Sequence, residues 1–381
     1  MASSQPAAAL VYTDELSRHV LSPNHPMRPV RLRYMHELMQ SSGLLSSPAL
    51  RQEQPRHASR DEILRVHDAD YVDAVHVIGA GGIVPNMHEF GFGAGDNPPR
   101  PGMYDATALT VGSSLVATEL VMTGQVPVAF APAGGVHHHA MRAHASGFGV
   151  FNDAAIAIQG LVDEGLRVAY VDIDCHHGDG VQRAFYNTDR VLTISIHESG
   201  QWLFPGSGAV SEIGVGDGTG YSVNLPLAPY TQDELWLKTF DAVIPQAVNS
   251  FSPDLLFIQL GIDTHFRDPL THLQITTQGF NAAVSRLLSL GADCGKTVAV
   301  GGGGYDMSAV ARAWTMAMAT MSGFELPPEV PSGYDALPGL TTFADSPGPN
   351  ALPPDVDGEV KKYADNTVES VKKLLSGRFG L

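Results

Sequence analysis

The sequence predicts an α/β domain built on a mostly parallel sheet covered by helices, and two observations carry that reading. Between about residues 105 and 301, short apolar runs of strand length alternate with longer helix-like stretches. The runs are almost continuously apolar, so both faces of each strand have to be covered. A chain of 381 residues with 44% apolar side chains can bury the core that such a sheet needs.

The elements follow in order. The stretch MASSQPAAALVYTDE has no positive segment ahead of its short apolar run, and Pro6 and Asp14 interrupt it, so no secretory signal is expected. PVRLRYMHELMQSSG predicts a helix over 29–43, and 79–104 is a long Gly- and Pro-rich loop of the kind that carries function. The helix-like stretch 105–124 leads into VPVAFA (126–131), 152–165 leads into RVAYVDID (167–174), and RVLTISI (190–196) is a further short apolar run. A helix over 231–251, opening with Thr231 as its cap, precedes DLLFIQL (254–260), and one over 278–293 precedes TVAVGGGG (297–304). Residues 326–358 are rich in Pro and Gly and are expected to run over the surface. After them Val360, Tyr363, Ala364, Val368, Val371, Leu374 and Leu375 recur at helical spacing, which predicts a C-terminal amphipathic helix docked on the body. All 381 residues are read as one domain, with its core over about 19–320.

Charge narrows the function. With 23 Lys+Arg against 40 Asp+Glu the net charge is −17, which argues against nucleic acid and against an anionic membrane surface as partners. No apolar run approaches the roughly 18 to 20 residues of a membrane span. Two cysteines, Cys175 and Cys294, cannot make a disulfide framework and suit a reducing compartment or simple buried thiols, so a cytoplasmic protein is expected.

VDIDCHHGDG (171–180) carries the strongest chemical signal. If it continues a strand, Asp172, Asp174 and His176 share one face and Cys175 points to the other. Residues two apart on a strand are roughly 6.6 Å apart, so Asp174 and His176 can both reach one ion, with Asp172 behind them as a supporting carboxylate. A third ligand is expected from the carboxyl end of another strand, where LLFIQLGID ends at Asp263. Taken alone, Asp263 could equally cap a helix. Two carboxylates and one imidazole leave positions open for water and substrate, as catalytic metal sites do.

Two further motifs add acid–base groups. PAGGVHHHAMRAHASGF (132–148) places three histidines in a row, and Asp172 and Asp179 are available to orient a pair of them. A surface His-rich metal scavenger would leave the preceding Gly134-Gly135 unexplained. GGGGYD (301–306) lets backbone approach a ligand closely and offers the Tyr305 phenol; it lacks the GK[ST] of a phosphate loop. His57, His67, His76 and His88 are expected to be solvated, His197 could line the site or simply end a strand, and Cys175 and Cys294 lack a nucleophile pattern.

HPMRPVRL, GDNPPRPGMYDA, PAGGVHHHA with ASGF and FND, VDIDCHHGDGVQ with AFY, FPGSGA, LGIDTHFRDPL and GGGGYD occur in that order between about residues 19 and 320. Together they resemble the zinc-dependent histone deacetylase family of the arginase/deacetylase superfamily, in its acetoin utilization branch. The resemblance implies a three-layer α/β/α fold with an eight-stranded, mostly parallel sheet. It implies one catalytic Zn²⁺ on Asp174, His176 and Asp263, a tandem pair His138 and His139 oriented by Asp172 and Asp179, and Tyr305 on the substrate carbonyl. Phe148, Phe204, Leu270 and Gly303 are implied as substrate-tunnel residues, Asp96 as a rim aspartate gripping substrate backbone, and Arg31 as an arginine near the acetate exit. A structural K⁺ is implied at Asp172, Asp174, His176, Ser195 and Ile196, and a second at Phe185, Thr188, Val191 and Tyr221.

The implied activity is hydrolysis of the acyl amide of acetyl-lysine in an acetylated protein, with an acetylpolyamine or other small acyl amine as the alternative substrate. A non-catalytic acyl-lysine binder would be expected to lose Tyr305 or a ligand, and a two-manganese arginase-like enzyme to carry further carboxylates after Asp263, where Thr264 and His265 stand instead. The run of three histidines departs from the family's usual pair. Counting from Gly134-Gly135 selects His137 and His138; counting back from ASGF selects His138 and His139, the register preferred here because the Gly-rich turn absorbs an extra residue more easily.

Overall fold

In the computed structural model, which describes residues 5–381, eight strands form one sheet in the order β2-β1-β3-β8-β7-β4-β5-β6. They are β1 (Ala8–Val11), β2 (Leu50–Glu53), β3 (Val128–Ala131), β4 (Val168–Asp172), β5 (Val191–Glu198), β6 (Ser222–Leu227), β7 (Leu255–Gln259) and β8 (Thr297–Val300). Every neighbouring pair is parallel, so the expected eight-stranded, mostly parallel sheet is present and is parallel throughout.

Strand alternation divides the apolar side chains between two cores. Leu10, Phe130, Val171, Ile194, Ile258 and Ala299 point to one face, where they meet α1 (Val30–Ser41), α7 (Asp233–Phe251), α8 (Thr277–Cys294), α9 (Met307–Ser322) and α10 (Pro354–Leu374). Val11, Ala129, Tyr170, Phe257 and Val298 point to the other, covered by α2 (Arg60–Ile63), α3 (Ala69–Gly79), α4 (Met103–Met122), α5 (Asp153–Asp163) and α6 (Asp179–Ala184). Helix α4 is buried over most of its circumference, with small and polar residues such as Thr107, Ser113 and Ser114 buried among its apolar ones.

Several local expectations are corrected. The pattern does not announce β2 or β6: LRQE is a polar edge strand, and SVNLPL carries Pro226, which an edge strand tolerates. β4 stops at Asp172 and does not run to 174. Thr231 does not cap α7: its hydroxyl donates to the Ala228 carbonyl, and the helix starts at Asp233. The 326–358 segment is not only surface, because Val330, Tyr334 and Phe343 pack with Leu38 and Ala311. His67 is buried, accepting from Asn152 N–H at 2.9 Å, whereas His57, His76 and His88 are exposed.

Helix α10 buries Val360, Ala364, Thr367 and Val371 against the sheet-and-helix body, while Leu374 stays 46% exposed. Among the described residues no helix is long and apolar enough to cross a membrane. Ala364 is 1% exposed within the core. Ala364→Asp would bury an unpaired charge there, and denaturant unfolding should show a loss of about 3 kcal/mol or more; a change within about 0.5 kcal/mol would mean that α10 does not dock.

Candidate metal centre and active site

The four central strands β3, β8, β7 and β4 end side by side, and the chain leaving each carboxyl end carries polar residues. After β4 the backbone turns instead of continuing as a strand. Asp174 N–H donates to Asp172 Oδ1 at 3.1 Å, and His176 N–H donates to Asp174 Oδ1 at 3.0 Å. This turn, not the pleat assumed from the sequence, brings Asp174 and His176 together. Asp263 follows β7, and its Oδ1 accepts Cys175 N–H at 2.7 Å. His176 Nδ1 then lies 2.9 Å from Asp263 Oδ2 and 3.2 Å from Asp174 Oδ1.

Donor atoms of Asp174, His176 and Asp263 all lie within 4.8 Å of one another, and all three residues are buried. Asp174 Oδ2 also accepts from Gln259 Nε2 at 2.7 Å and from Gly303 N–H at 2.8 Å. Burial, together with the Asp174 charge, pushes the Asp263 carboxyl above its usual range. Burial opposes charge on the His176 imidazole, yet Asp263 and Asp174 outweigh it and raise its pKa well above normal. A pocket that favours a cation this strongly, with two oxygens and one nitrogen converging, fits a divalent ion such as zinc.

The histidine run divides by partner. His138 Nδ1 donates to Asp172 Oδ2 at 2.9 Å, and the same oxygen accepts from the Tyr170 hydroxyl at 2.6 Å. His139 Nδ1 donates to Asp179 Oδ1 at 2.7 Å. His137 has no carboxylate partner; its Nδ1 accepts Val150 N–H at 2.9 Å, and burial drops its pKa to about 3. The two carboxylate-paired rings lie 4.0 Å apart but differ in electrostatics. Burial works against charge on both, and at His138 the Asp172 and Asp174 carboxylates prevail and lift the pKa to about 9. At His139 burial is reinforced by His138 and His176, and the pKa falls well below normal. Gly135 sits at φ +83° with its N–H donating to Asp153, and a Cβ there would meet the Gly301 carbonyl oxygen at 2.6 Å, so the turn ahead of the histidines needs glycine.

Tyr305 enters from the loop after β8, anchored by its N–H donating to Asp268 Oδ2 at 2.7 Å. Its ring lies 5.7 Å from Phe148, and Phe204 lies 5.0 Å from His139, so the two phenylalanines flank the opening above the histidines and the metal-type cluster.

Residues 25–321 match the histone deacetylase domain. The chain belongs to the histone deacetylase family, in its acetoin utilization branch. The acetoin utilization protein AcuC of Bacillus subtilis is 39% identical over 332 residues, spanning 84% of this chain and 85% of its own length. That of Staphylococcus aureus strain MSSA476 is 39% identical over 313 residues, 81% of this chain and 79% of its own. An HDAC homolog from Aquifex aeolicus superposes with a TM-score of 0.83 at 29% identity, covering 94% of this chain and 99% of that one. An HDAC homolog complexed with SAHA gives 0.85 at 29% identity, covering 97% and 100%.

In this deacetylase the remaining expected residues sit at varied distances from the cluster. Arg31 is buried behind Tyr305 and donates to the Gly302 and Gly304 carbonyls at 2.6 and 2.8 Å. It lines a cavity of about 70 Å³ together with His137, Phe148 and Arg100. Leu270 is half-buried, its N–H donating to Asp268. Asp96 is exposed, and only its carbonyl makes a bond, accepting from His25 Nε2 at 3.1 Å. Asp172 and Ser195 are paired across β4 and β5, with Ile196 next along, whereas Phe185, Thr188, Val191 and Tyr221 gather toward the amino end of β5. His197 is fully buried, bonded to Ser195 and Gly208, and does not line the mouth. Cys175 packs in the core.

The sequence reading missed Gln259, Tyr170, Asp153 and Asp268. Gln259 had a usable signal, as an amide inside an otherwise aliphatic buried strand needs a partner. Burial raises the Asp268 pKa to about 8, a further mark of a residue placed for a purpose.

A Cβ on Gly303 would lie 2.0 Å from Asp263 Oδ2 and 3.0 Å from Asp174 Oδ2. Gly303→Ala should therefore spread both carboxylates and lower bound zinc, measured by mass spectrometry, to well under half an equivalent, with the circular dichroism unchanged. Full zinc occupancy in that variant would mean that these carboxylates do not ligate the ion.

Proposed function

We propose that the protein is a zinc-dependent deacylase that hydrolyses the amide of acetyl-lysine. The observation that carries the reading is the pairing of two histidines of opposite electrostatic character with separate carboxylates, beside a buried Asp174–His176–Asp263 cluster. Zinc held by those three residues would supply Lewis acidity toward the amide carbonyl and lower the pKa of a water molecule. His139, kept neutral, is suited to take the water's proton at Nε2, because Asp179 holds the proton on its Nδ1. It then returns a proton to the departing amine. His138, cationic beside Asp172, stabilises negative charge as it develops. The Tyr305 phenol, held protonated by burial and by the nearby Asp263, donates to the oxyanion. Phe148 and Phe204 flank the acyl-lysine stem, and the exposed Asp96 carboxylate is free to accept substrate backbone N–H groups.

Small acetylated polyamines are a second reading with the same centre, and the net charge of −17 would suit such cations without choosing them over lysine. We also assign one structural potassium to Asp172, Asp174, His176, Ser195 and Ile196 and a second to Phe185, Thr188, Val191 and Tyr221, and a cytoplasmic site of action suited to the two free cysteines.

A panel of acyl-lysine peptides and acetylpolyamines tests the reading: turnover should favour the peptides, and chelation should abolish it. Activity surviving in metal-free protein would overturn it. Tyr305→Phe should lower kcat by roughly 10²-fold while substrate still binds; an unchanged kcat would return Tyr305 to packing. His139→Ala should cost about 10²- to 10⁴-fold in kcat, and His137→Ala only a few-fold in kcat with some loss of stability. The reverse order at equal zinc content would shift the catalytic register to His137 and His138.

A further inference from the structure

Beyond residue 321, where the match to the family domain ends, the chain returns to the centre through one buried aspartate. Asp345 is 9% exposed, and each of its polar atoms is bonded. Its Oδ2 lies 2.9 Å from His265 Nε2 and accepts Thr277 N–H, at the start of α8, at 2.8 Å. Its Oδ1 lies 2.8 Å from Arg312 Nη1 in α9. Its backbone N–H and C=O bond the Gln278 side-chain amide at 2.9 and 3.0 Å.

One side-chain arm leads to the Asp263–Asp268 turn and the other to α9, which begins just after Tyr305. His265 is fully buried, and its Nδ1 accepts Arg267 N–H at 3.2 Å, so the ring holds the turn that begins two residues earlier at Asp263. The same turn closes with Asp268 N–H donating to the His265 carbonyl at 2.8 Å, and Asp268 is the residue that anchors Tyr305 N–H. The other arm grips α9, whose N-cap Asp306 directly follows Tyr305. One carboxylate thus fastens the Asp263–Asp268 turn to the helix behind the tyrosine.

We infer that Asp345 is a positioning residue for the catalytic centre, fixing Tyr305 relative to Asp263 from a segment outside the family domain. This rests on the reading of Asp263 as a metal ligand and Tyr305 as the oxyanion donor. A residue that merely ties down the C-terminal segment would affect that segment and global stability. A positioning residue affects the Asp263–Asp268 turn and acts on rate through Tyr305.

Two measurements on the full-length, zinc-loaded chain separate these. By hydrogen–deuterium exchange, Asp345→Asn should speed exchange about tenfold in peptides covering 262–270 and 303–308 as well as 340–350. By kinetics on an acetyl-lysine peptide, Asp345→Asn should lower kcat by about tenfold or more with KM little changed, yet in a Tyr305→Phe background it should cost no more than about twofold. Faster exchange confined to 340–350, an unchanged kcat, or the same fold-loss in both backgrounds would each overturn the inference. If Asp345→Asn does not fold, His265→Asn takes its place; it retains an acceptor for Arg267 N–H, is too short to reach Asp345, and is held to the same outcomes. A wild-type chain inactive on every acyl amine would sink the proposed function instead, and the exchange pattern alone would then decide the role of Asp345.

Discussion

Three aspartates with no solvent exposure, Asp172, Asp174 and Asp263, converge at the end of one sheet, and the rest of the centre is a response to that concentration of buried negative charge. Carboxylates a few ångströms apart in a poorly polarisable interior cannot remain ionised without hydrogen-bond donors and a counter-charge. The donors are present atom by atom: the Tyr170 hydroxyl and the His138 ring on Asp172, Gln259 and Gly303 N–H on Asp174, Cys175 N–H and His176 on Asp263. The remaining charge calls for a cation. A divalent ion would satisfy that requirement, and its affinity would follow from the same electrostatics that would otherwise destabilise the fold.

The same charge explains how two adjacent histidines come to play different parts. His138 faces Asp172 and Asp174 and is drawn toward the cationic form, whereas at His139 burial, reinforced by His138 and His176, holds the pKa down. Asp179, itself raised to about 6 by burial, accepts the His139 Nδ1 proton at 2.7 Å, but burial of the ring outweighs it. Neighbouring imidazoles with separated proton affinities divide acid–base work without a change of residue type. His137, turned to Val150 N–H, is removed from that circuit and serves the backbone.

Much of this was legible in the sequence because the segments that carry the acids and histidines follow long aliphatic runs. VAYVDID and LLFIQLGID announce a buried strand and then break into acids, so Asp174, His176 and Asp263 stood out against the apolar background. The route by which they meet was not legible. Strand periodicity placed Asp174 and His176 on a pleat, but the carboxylates of Asp172 and Asp174 capture backbone N–H groups two residues on, and that local competition ends the strand. His67 was misread because its neighbours are polar; its burial comes from a contact with Asn152, far along the chain. Asp345 carried no local signal at all. It sits among prolines and glycines, and its importance exists only once His265, Thr277 and Arg312 surround it.

That the centre lies where it does follows from the sheet itself. Inside a parallel sheet every backbone N–H is used by the ladder, and both faces are apolar, so a buried carboxylate has nothing to accept from. Past the last ladder bond the N–H groups of Asp174, Cys175, His176, Gly261 and Gly303 lose their strand partners while still deep in the protein. Asp172, Asp263, Asp174 and Gln259 accept from them with one side-chain oxygen or another. Side chains that cap the sheet end in this way are held rigidly by the backbone they satisfy, and the oxygens left over point toward a common space. Capping the sheet and building the metal-type cluster are therefore a single structural solution. Glycine at 261 and 303 is what allows it: a Cβ at either position would stand 2.0 Å from a carboxylate oxygen, leaving no room for the acids to reach the backbone they cap.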